Sequence, residues 1–208
     1  MRIQFIAIHT ILLLPFATLY AGQEAAPKNE LGFTLGGIPS LSRGNSQQSV
    51  ELGAGTAFGV NYGRRFLGGS KAAIYGEVEF LANPLRDISS NSGTATKNVA
   101  SLYITPGIRL KFFPASAISP YAVVGGGYAD YEQSTTRLDG QRNPAPRQLA
   151  RGAFDFGAGV DVRVWRRWLA LRGEARDFYT GSPAYNLPSV TGGQHNVAIS
   201  GGFVLRWH

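Results

Sequence analysis

The chain has 208 residues, no cysteine, 27 glycines and a formal net charge of +7. The lack of cysteine excludes a disulfide framework, a thiolate metal centre and a lipid-modified N-terminal cysteine, and so many glycines and aromatic residues favour strands over helices or disorder. The basic residues are spread along the chain, which suits an anionic membrane surface and disfavours nucleic acid as a partner.

Residues 1–21 have the pattern of a signal peptide. Arg2 supplies the positive start, residues 3–19 are mostly apolar, and Ala21 before Gly22 offers a small-residue cleavage site. We therefore expect export and one mature domain over residues 22–208. No later apolar run is long enough for a membrane helix, so a membrane-spanning form of this domain has to be a closed barrel.

Eight segments of the mature region alternate between apolar and polar residues, each about as long as a tilted membrane strand. The last segment is the clearest, because Val197, Ile199, Phe203, Leu205 and Trp207 share one face. Three segments are weaker. They are residues 31–38, residues 51–62 with Leu52, Phe58, Val60 and Tyr62 on one face, and residues 120–131 with Tyr121 and Val123 on one face.

The connections between the segments alternate in length. Long ones occupy residues 39–50, 82–98, 132–150 and 179–194, and short ones occupy residues 63–71, 114–119 and 166–167. All long loops then fall at one end, as in outer-membrane barrels with short periplasmic turns and long extracellular loops. The predicted fold is therefore all-β, an eight-stranded antiparallel up-and-down transmembrane β-barrel.

The shortest turn predicts a register. If Arg166 and Arg167 form a two-residue turn, Trp165 pairs with Trp168, and Val164 and Val162 pair with Leu169 and Leu171. The same register sets Asp161 opposite Arg172, with Gly159 and Gly157 opposite Glu174 and Arg176. We expect these glycines to make room for long charged side chains.

The polar face combines glycine with charges of both signs. This suits a narrow lumen, whereas a soluble lipocalin-like or avidin-like barrel, the alternative fold, has its polar face in water. We expect an interior charge network of ten side chains: Glu77, Glu79, Arg109, Lys111, Asp161, Arg163, Arg172, Glu174, Arg176 and Arg206. Aromatic residues near the strand ends suggest two interfacial girdles. They are Tyr62, Phe66, Phe112, Tyr121, Trp165, Trp168 and Trp207 at the periplasmic end, and Phe80, Tyr131, Phe154 and Phe178 at the other.

The sequence resembles the small outer-membrane β-barrel family that includes the transmembrane domain of OmpA and the opacity-type surface proteins. The most specific part is the last strand, where Phe203, Leu205 and Trp207 resemble the C-terminal signal read by the outer-membrane barrel assembly machinery. Trp207 replaces the usual Phe, and His208 follows it. The resemblance implies a location in the cell outer membrane, among its lipids and lipopolysaccharide.

Signs of chemistry are few. The mature region has two histidines, His195 and His208, and we expect neither a catalytic site, a cofactor nor a metal. The interior carboxylates are interpreted as members of ion pairs, which switch partners if the barrel is a gated channel. Arg137, Arg142, Arg147 and Arg151 in the third long loop form a possible contact for lipopolysaccharide phosphates.

These observations lead to a first hypothesis of a non-enzymatic, monomeric integral barrel with a structural or surface-interaction role through its extracellular loops. A narrow, low-conductance channel gated by the interior salt bridges is the second hypothesis. The third is a lipid A-modifying enzyme. A Ser, His and acid set assembled across strands is required for it, and His195-Asn196-Val197 lacks the His-x-Ser-Asn arrangement of the deacylases.

Overall fold

The computed structural model describes residues 26–44, 48–188 and 190–208. The predicted signal peptide, residues 1–21, lies outside the described residues. Among the described residues, none belongs to a helix with the length and apolarity needed to cross a membrane.

Eight long strands and one short hairpin make up nearly all of the regular structure. The long strands are β1 (Asn29–Ile38), β4 (Gly55–Gly68), β5 (Ala72–Ser90), β6 (Asn98–Phe112), β7 (Ile118–Gln133), β8 (Gln148–Trp165), β9 (Leu169–Gly181) and β10 (Gly193–Trp207). The short hairpin consists of β2 (Leu41–Gly44) and β3 (Ser49–Leu52). One turn of 3₁₀ helix, Ala184–Asn186, lies between β9 and β10.

The long strands pair antiparallel in a ring that confirms the predicted fold. Each of them pairs with its neighbours in the order β1, β4, β5, β6, β7, β8, β9 and β10. β10 then pairs with β1, from Asn29 opposite Trp207 to Gly37 opposite Ile199. The first and last strands therefore close the sheet and leave no edge among the long strands.

The first long loop is folded, which corrects the second sequence segment. That segment divides at Gly53 and Ala54, so Leu52 belongs to the short hairpin, while Phe58 belongs to β4. The hairpin pairs with the outer end of β5, where Val50 lies opposite Ser90 and Leu52 opposite Ile88. We use "extracellular cap" for the β2–β3 hairpin, the β5–β6 and β9–β10 connections and the adjoining outer ends of β1, β5 and β6.

The β8–β9 pairing confirms most of the predicted register and corrects its end. Asp161 lies opposite Arg172, and Val162 opposite Leu171. A register shift between Arg163 and Trp165 then pairs Trp165 with Leu169, so the predicted pairings of Trp165 with Trp168 and of Val164 with Leu169 are wrong. The extra residue makes a β-bulge, and a turn of three residues follows with Arg166 at a φ of +41°.

Apolar side chains point outward from the ring and charged ones point inward. Ile199, Leu110 and Val162 are 58%, 38% and 39% exposed, whereas Arg172 and Glu174 are buried. β7 departs from the prediction, because Tyr121 and Val123 point into the barrel while Val124 and Tyr128 point outward. Tyr131 and Phe178 are also buried inside, so with Tyr121 they leave the predicted girdles.

Candidate functional site

The lower, periplasmic part of the barrel interior holds four cations around two carboxylates. Lys111 Nζ lies 2.5 Å from both Glu30 Oε1 and Asp161 Oδ2. Asp161 also accepts hydrogen bonds from Arg172 Nε at 2.8 Å and Arg206 Nη2 at 3.1 Å. Arg109 Nη1 donates to Glu30 Oε2 at 2.9 Å, and all six groups are buried. Each carboxylate is therefore shared among several cations, which offsets the cost of burying it.

The part of the interior above it has the opposite composition. Arg176 lies among four carboxylates. Its Nη1 is 3.0 Å from Asp155 Oδ2 and its Nε is 3.4 Å from Glu174 Oε2, while Nη2 contacts Glu77. Glu79 Oε2 lies 3.6 Å from the same guanidinium. Arg109 links the two parts, since its Nη2 also donates to Glu77.

Nine of the ten predicted interior charges meet in this network, and two further acids belong to it. Glu30 and Asp155 share the inward parity of β1 and β8, but the weak alternation of the first segment hid Glu30. Arg163 lies apart, half-buried at the periplasmic end, where its Nη1 donates to the Ala115 carbonyl at 3.2 Å. The bulge beside Arg163 gives the physical reason, because it ends the regular inward alternation of β8.

One aromatic ring, that of Tyr121, and two glycines, Gly157 and Gly159, pack against the charged side chains of the network. The guanidinium carbons of Arg109 and Arg172 lie 5.1 and 4.9 Å from the ring centre of Tyr121, on which they stack. A Cβ at Gly157 would come 2.8 Å from Arg176 Cγ, so this glycine makes the predicted room for a charged side chain. At Gly159 the room is taken by Tyr121 rather than by Glu174.

Above the charges the barrel interior becomes aromatic. Tyr103 packs on Phe178 with ring centres 4.8 Å apart and meets Tyr131 edge-on at 6.2 Å. Tyr185, from the 3₁₀ turn, covers this group and donates to Gln194 Oε1 at 2.6 Å. Burial raises the pKa of the Tyr185 phenol, which therefore stays a neutral donor. The β9–β10 connection thus closes the extracellular mouth.

The aromatic group continues into an apolar core within the extracellular cap. The side chains of that core come from the β2–β3 hairpin, from the β5–β6 and β9–β10 connections and from the adjoining ends of β1, β5 and β6. All of them are nearly inaccessible: Ile38, Val50, Leu52, Ile88, Ala95, Val99, Leu187 and Val190. Arg86 fixes its base by donating to the carbonyls of Gly53 and Pro39, each at 2.9 Å. The loops therefore pack together as a small folded unit and are not independent connections.

The four loop arginines do not converge on one point. Arg137 Nη2 pairs with Asp139 Oδ2 at 2.7 Å, and Arg147 Nη2 pairs with Glu132 Oε1 at 2.5 Å. Arg151 donates to the Ser182 carbonyl at 3.3 Å, and Arg142 is exposed. Two of the four charges already have carboxylate partners, so the phosphate contact stays a prediction.

His195 lies on the outer surface near the extracellular end. Its Nδ1 is 2.5 Å from Asp177 Oδ2, and its ring centre lies 4.9 Å from that of Tyr179, with the two rings tilted by 51°. In residues 26–44, 48–188 and 190–208, no three His, Cys, Asp or Glu side chains are grouped as a metal site requires. His208 is exposed at the other end, next to Trp207.

The last strand places the predicted assembly signal on the outward face. Phe203 and Trp207 are exposed and Leu205 is half-buried. Phe33 of β1 packs against Phe203 with ring centres 5.2 Å apart, so the signal also lies along the seam that closes the ring.

Comparisons with known proteins identify the architecture. The family model described as "Outer membrane protein beta-barrel domain" matches residues 10–203, and no curated protein matches the sequence significantly. Two solved structures superpose with TM-scores above one half. The outer membrane protein OprG from Pseudomonas aeruginosa has a TM-score of 0.55 at 13% identity, over 89% of this chain and 98% of its own. Neisserial surface protein A has a TM-score of 0.52 at 14% identity, over 89% of this chain and 100% of its own.

The outer membrane enzyme PagL also superposes, with a TM-score of 0.45 at 15% identity over 86% of this chain and 99% of its own. At identities of 13% and 14%, the likenesses to OprG and to Neisserial surface protein A describe the fold alone.

Proposed function

The chain belongs to the outer membrane protein β-barrel family, and from that premise we propose that it is a non-enzymatic outer-membrane protein that presents its extracellular cap as a surface-interaction module. The observation that carries the proposal is the apolar core of the cap, which includes Leu52, Ile88 and Leu187. Loops that serve only to connect strands need no buried core of their own, whereas a recognition surface gains from a fixed shape.

The interior supports a sealed barrel. The charge network fills the membrane-spanning part, and Tyr185 with its aromatic neighbours fills the mouth above it. Eight strands enclose little more space than side chains occupy. We therefore expect the membrane-embedded part to be a support for the cap.

The cap is tested by complementation of a deletion strain of the native host. One variant has residues 39–54 and 182–192 replaced by short polar turns, and the wild-type gene is the control. One readout is survival of the bacteria in detergent, which reports on the integrity of the envelope. The other is adhesion of whole bacteria to the surfaces of other cells. We expect the variant to restore detergent survival but not adhesion. Full restoration of both would contradict a role for the cap.

The second candidate, a narrow channel, is favoured by one observation. Glu79 is fully buried, and neither of its carboxylate oxygens has a hydrogen-bond partner among the described residues. An incompletely satisfied carboxylate is a point where the network can rearrange. Planar-bilayer recording distinguishes the two functions. A sealed barrel gives no ion steps, whereas reproducible steps that weaken in Glu174→Gln or Arg172→Gln identify the channel.

The His195–Asp177 pair is the observation behind the enzyme hypothesis, because an acid that orients a histidine is two thirds of an acyl-transfer triad. Mass spectrometry of lipid A from cells with and without the protein tests it. We expect identical acyl chains, and a change in acylation that depends on His195 would make the protein an enzyme.

A further inference from the structure

We propose that the barrel interior binds one small monovalent cation, such as sodium, between Glu79 of β5 and Thr34 of β1. The site lies within the barrel wall and not in the extracellular cap, so it does not depend on the role proposed for the cap. It also requires no flow of ions across the membrane, because a cation can be bound inside a sealed barrel.

The buried charge network has one carboxylate more than it has cations. Its acidic members among the described residues are Glu30, Glu77, Glu79, Asp155, Asp161 and Glu174, and its basic members are Arg109, Lys111, Arg172, Arg176 and Arg206. Arg86 is also buried, but it lies near the outer end of β5, roughly 20 Å along the strand from Glu79, and it donates to backbone carbonyls. A buried charge without a partner is costly, so the network needs one further positive charge.

The unmatched negative charge is at Glu79, which is completely buried. Arg176 Nη2 lies 3.6 Å from Glu79 Oε2, but the same guanidinium also contacts three other carboxylates. Neither oxygen of Glu79 accepts a hydrogen bond from a described residue. Asn61 lies opposite Glu79 on β4, but its Oδ1 accepts from Arg172 at 2.8 Å and its Nδ2 makes no hydrogen bond to the carboxylate. Oε1 of Glu79 is therefore open to a ligand.

A second oxygen without a partner approaches the same point. Thr34 is 6% exposed, and its Oγ1 also has no hydrogen-bond partner among the described residues. Gly59 lies on β4 opposite Thr34, and a Cβ built on it would clash with Thr34 Oγ1 and lie 3.2 Å from Glu79 Oε1. The hydroxyl and the carboxylate therefore come together beside Gly59, where one bound ion can contact both.

The two oxygens suit a hard cation of single charge. Carboxylate and hydroxyl oxygens are hard ligands, which favour alkali and alkaline-earth ions over transition metals. A divalent ion would reverse the excess charge of the network instead of cancelling it. In the part of the chain that the structure describes, no three acidic, histidine or cysteine side chains are grouped around one point, which also disfavours a divalent ion. A monovalent cation would bring the network to neutrality.

The first test uses the linkage between cation binding and folding. Urea unfolding of the protein in phosphatidylcholine vesicles is measured in sodium chloride and in choline chloride at equal ionic strength, since choline is too large for a buried site. Above the dissociation constant, the ratio of folded to unfolded protein should rise about tenfold for each tenfold increase in sodium concentration. A ratio that does not change between the two salts would overturn the proposal.

Variants assign the sodium dependence to the site. Glu79→Gln removes the charge and Thr34→Val removes the hydroxyl at nearly constant volume, and each should abolish or strongly weaken the dependence. Glu132→Gln is the matched control, because this carboxylate is paired with Arg147 at the extracellular end and should not affect sodium binding. A sodium dependence that persists in both Glu79→Gln and Thr34→Val would place the ion elsewhere and contradict the proposal.

A second test locates the ion directly. Crystals of the wild-type protein are soaked in thallium(I), a monovalent cation with strong anomalous scattering. We expect an anomalous peak beside Glu79 and Thr34 that is missing from crystals of Glu79→Gln. The absence of a peak in the wild type would overturn the proposal. So would a stability that depends on pH and not on sodium, because Glu79 would then hold a proton in place of the cation.

Discussion

The lower barrel interior and the extracellular cap are both closed, but by opposite chemistry. The interior around Arg109 and Asp161 is closed by shared ion pairs, whereas the cap around Leu52 and Leu187 is closed by apolar side chains. Within the membrane the outward side chains must be apolar, and the period of two then sends the remaining residues inward. The cap lies in water and buries its apolar side chains as a soluble domain does. The two regions should therefore respond differently to single substitutions.

The largest effect is expected from breaking the interior network. Arg109→Leu leaves Glu30 and Glu77 without a shared cation and should lower the free energy of unfolding by about 3–5 kcal/mol. Equilibrium urea unfolding of the protein in lipid vesicles measures this change. Arg142→Leu, on an exposed side chain, is the matched control. A loss below about 1 kcal/mol for Arg109→Leu would show that the network adapts to the removal of one member.

The cap is weakened by deleting part of its apolar core. Leu187→Ala removes a side chain that is almost completely buried. We expect it to lower the free energy of unfolding of the cap by about 2 kcal/mol or more and to leave the barrel unchanged. Hydrogen exchange should quicken at residues 48–52 and 182–188 while β6 to β9 keep their protection. Leu138→Ala, at an exposed position, serves as control. A uniform increase in the exchange rate along the barrel would instead show that the two regions unfold as one cooperative unit.

A smaller effect tests the close packing under the network. Gly159→Ala places a Cβ against the Tyr121 ring, on which Arg109 and Arg172 stack, and should destabilise the barrel by about 1–3 kcal/mol. Gly173→Ala is the matched control, since a Cβ there meets nothing within 4 Å. The difference in midpoint of urea unfolding between the two variants is the measurement. Equal midpoints would mean that Tyr121 moves at no cost.

The smallest effect is expected for an ion pair that, like those of the interior network, joins an arginine to a carboxylate, but lies in water. Arg147→Gln breaks the ion pair with Glu132. The Arg147 and Glu132 side chains are 67% and 44% exposed. Such pairs contribute less than about 1 kcal/mol, and the contribution falls with salt. Urea unfolding at low and high salt should therefore barely distinguish this variant from the wild type. A loss as large as that in Arg109→Leu would remove the contrast between buried and exposed pairs.

The sequence predicted the strands wherever alternation was strong and failed where it was weak. β6, β8, β9 and β10 carry bulky apolar residues on one face, so their orientation could be predicted. In β7 the inward face holds Tyr121 and Val123, which look as apolar as Val124 and Tyr128 on the outward face. Only the packing of Tyr121 against Arg109 and Arg172 distinguishes the faces, and that contact spans separate strands.

The sequence predicted which charged residues lie in the site, but not which of them form ion pairs with each other. Parity placed nine charged residues inside, but the meeting of Glu30 with Arg109 and Lys111 depends on the closure of the ring. The cap and the bulge at Arg163 could not be predicted, because both arise from pairings between distant or irregular segments.

β5 has a mechanical consequence for whatever binds the cap. Its 19 residues are nearly twice the about 9 to 11 that a tilted strand needs to cross the bilayer, so one continuous strand reaches from the periplasmic turn into the cap. A pull on the β2–β3 hairpin is transmitted along the chain to β1 and β4 and through the β3–β5 pairing to β5, whose inner part is bonded on both sides to β4 and β6. Tension along that strand loads these ladders in shear, all bonds together. A tethered cell would thus be held by the wall of the barrel and not by a flexible loop.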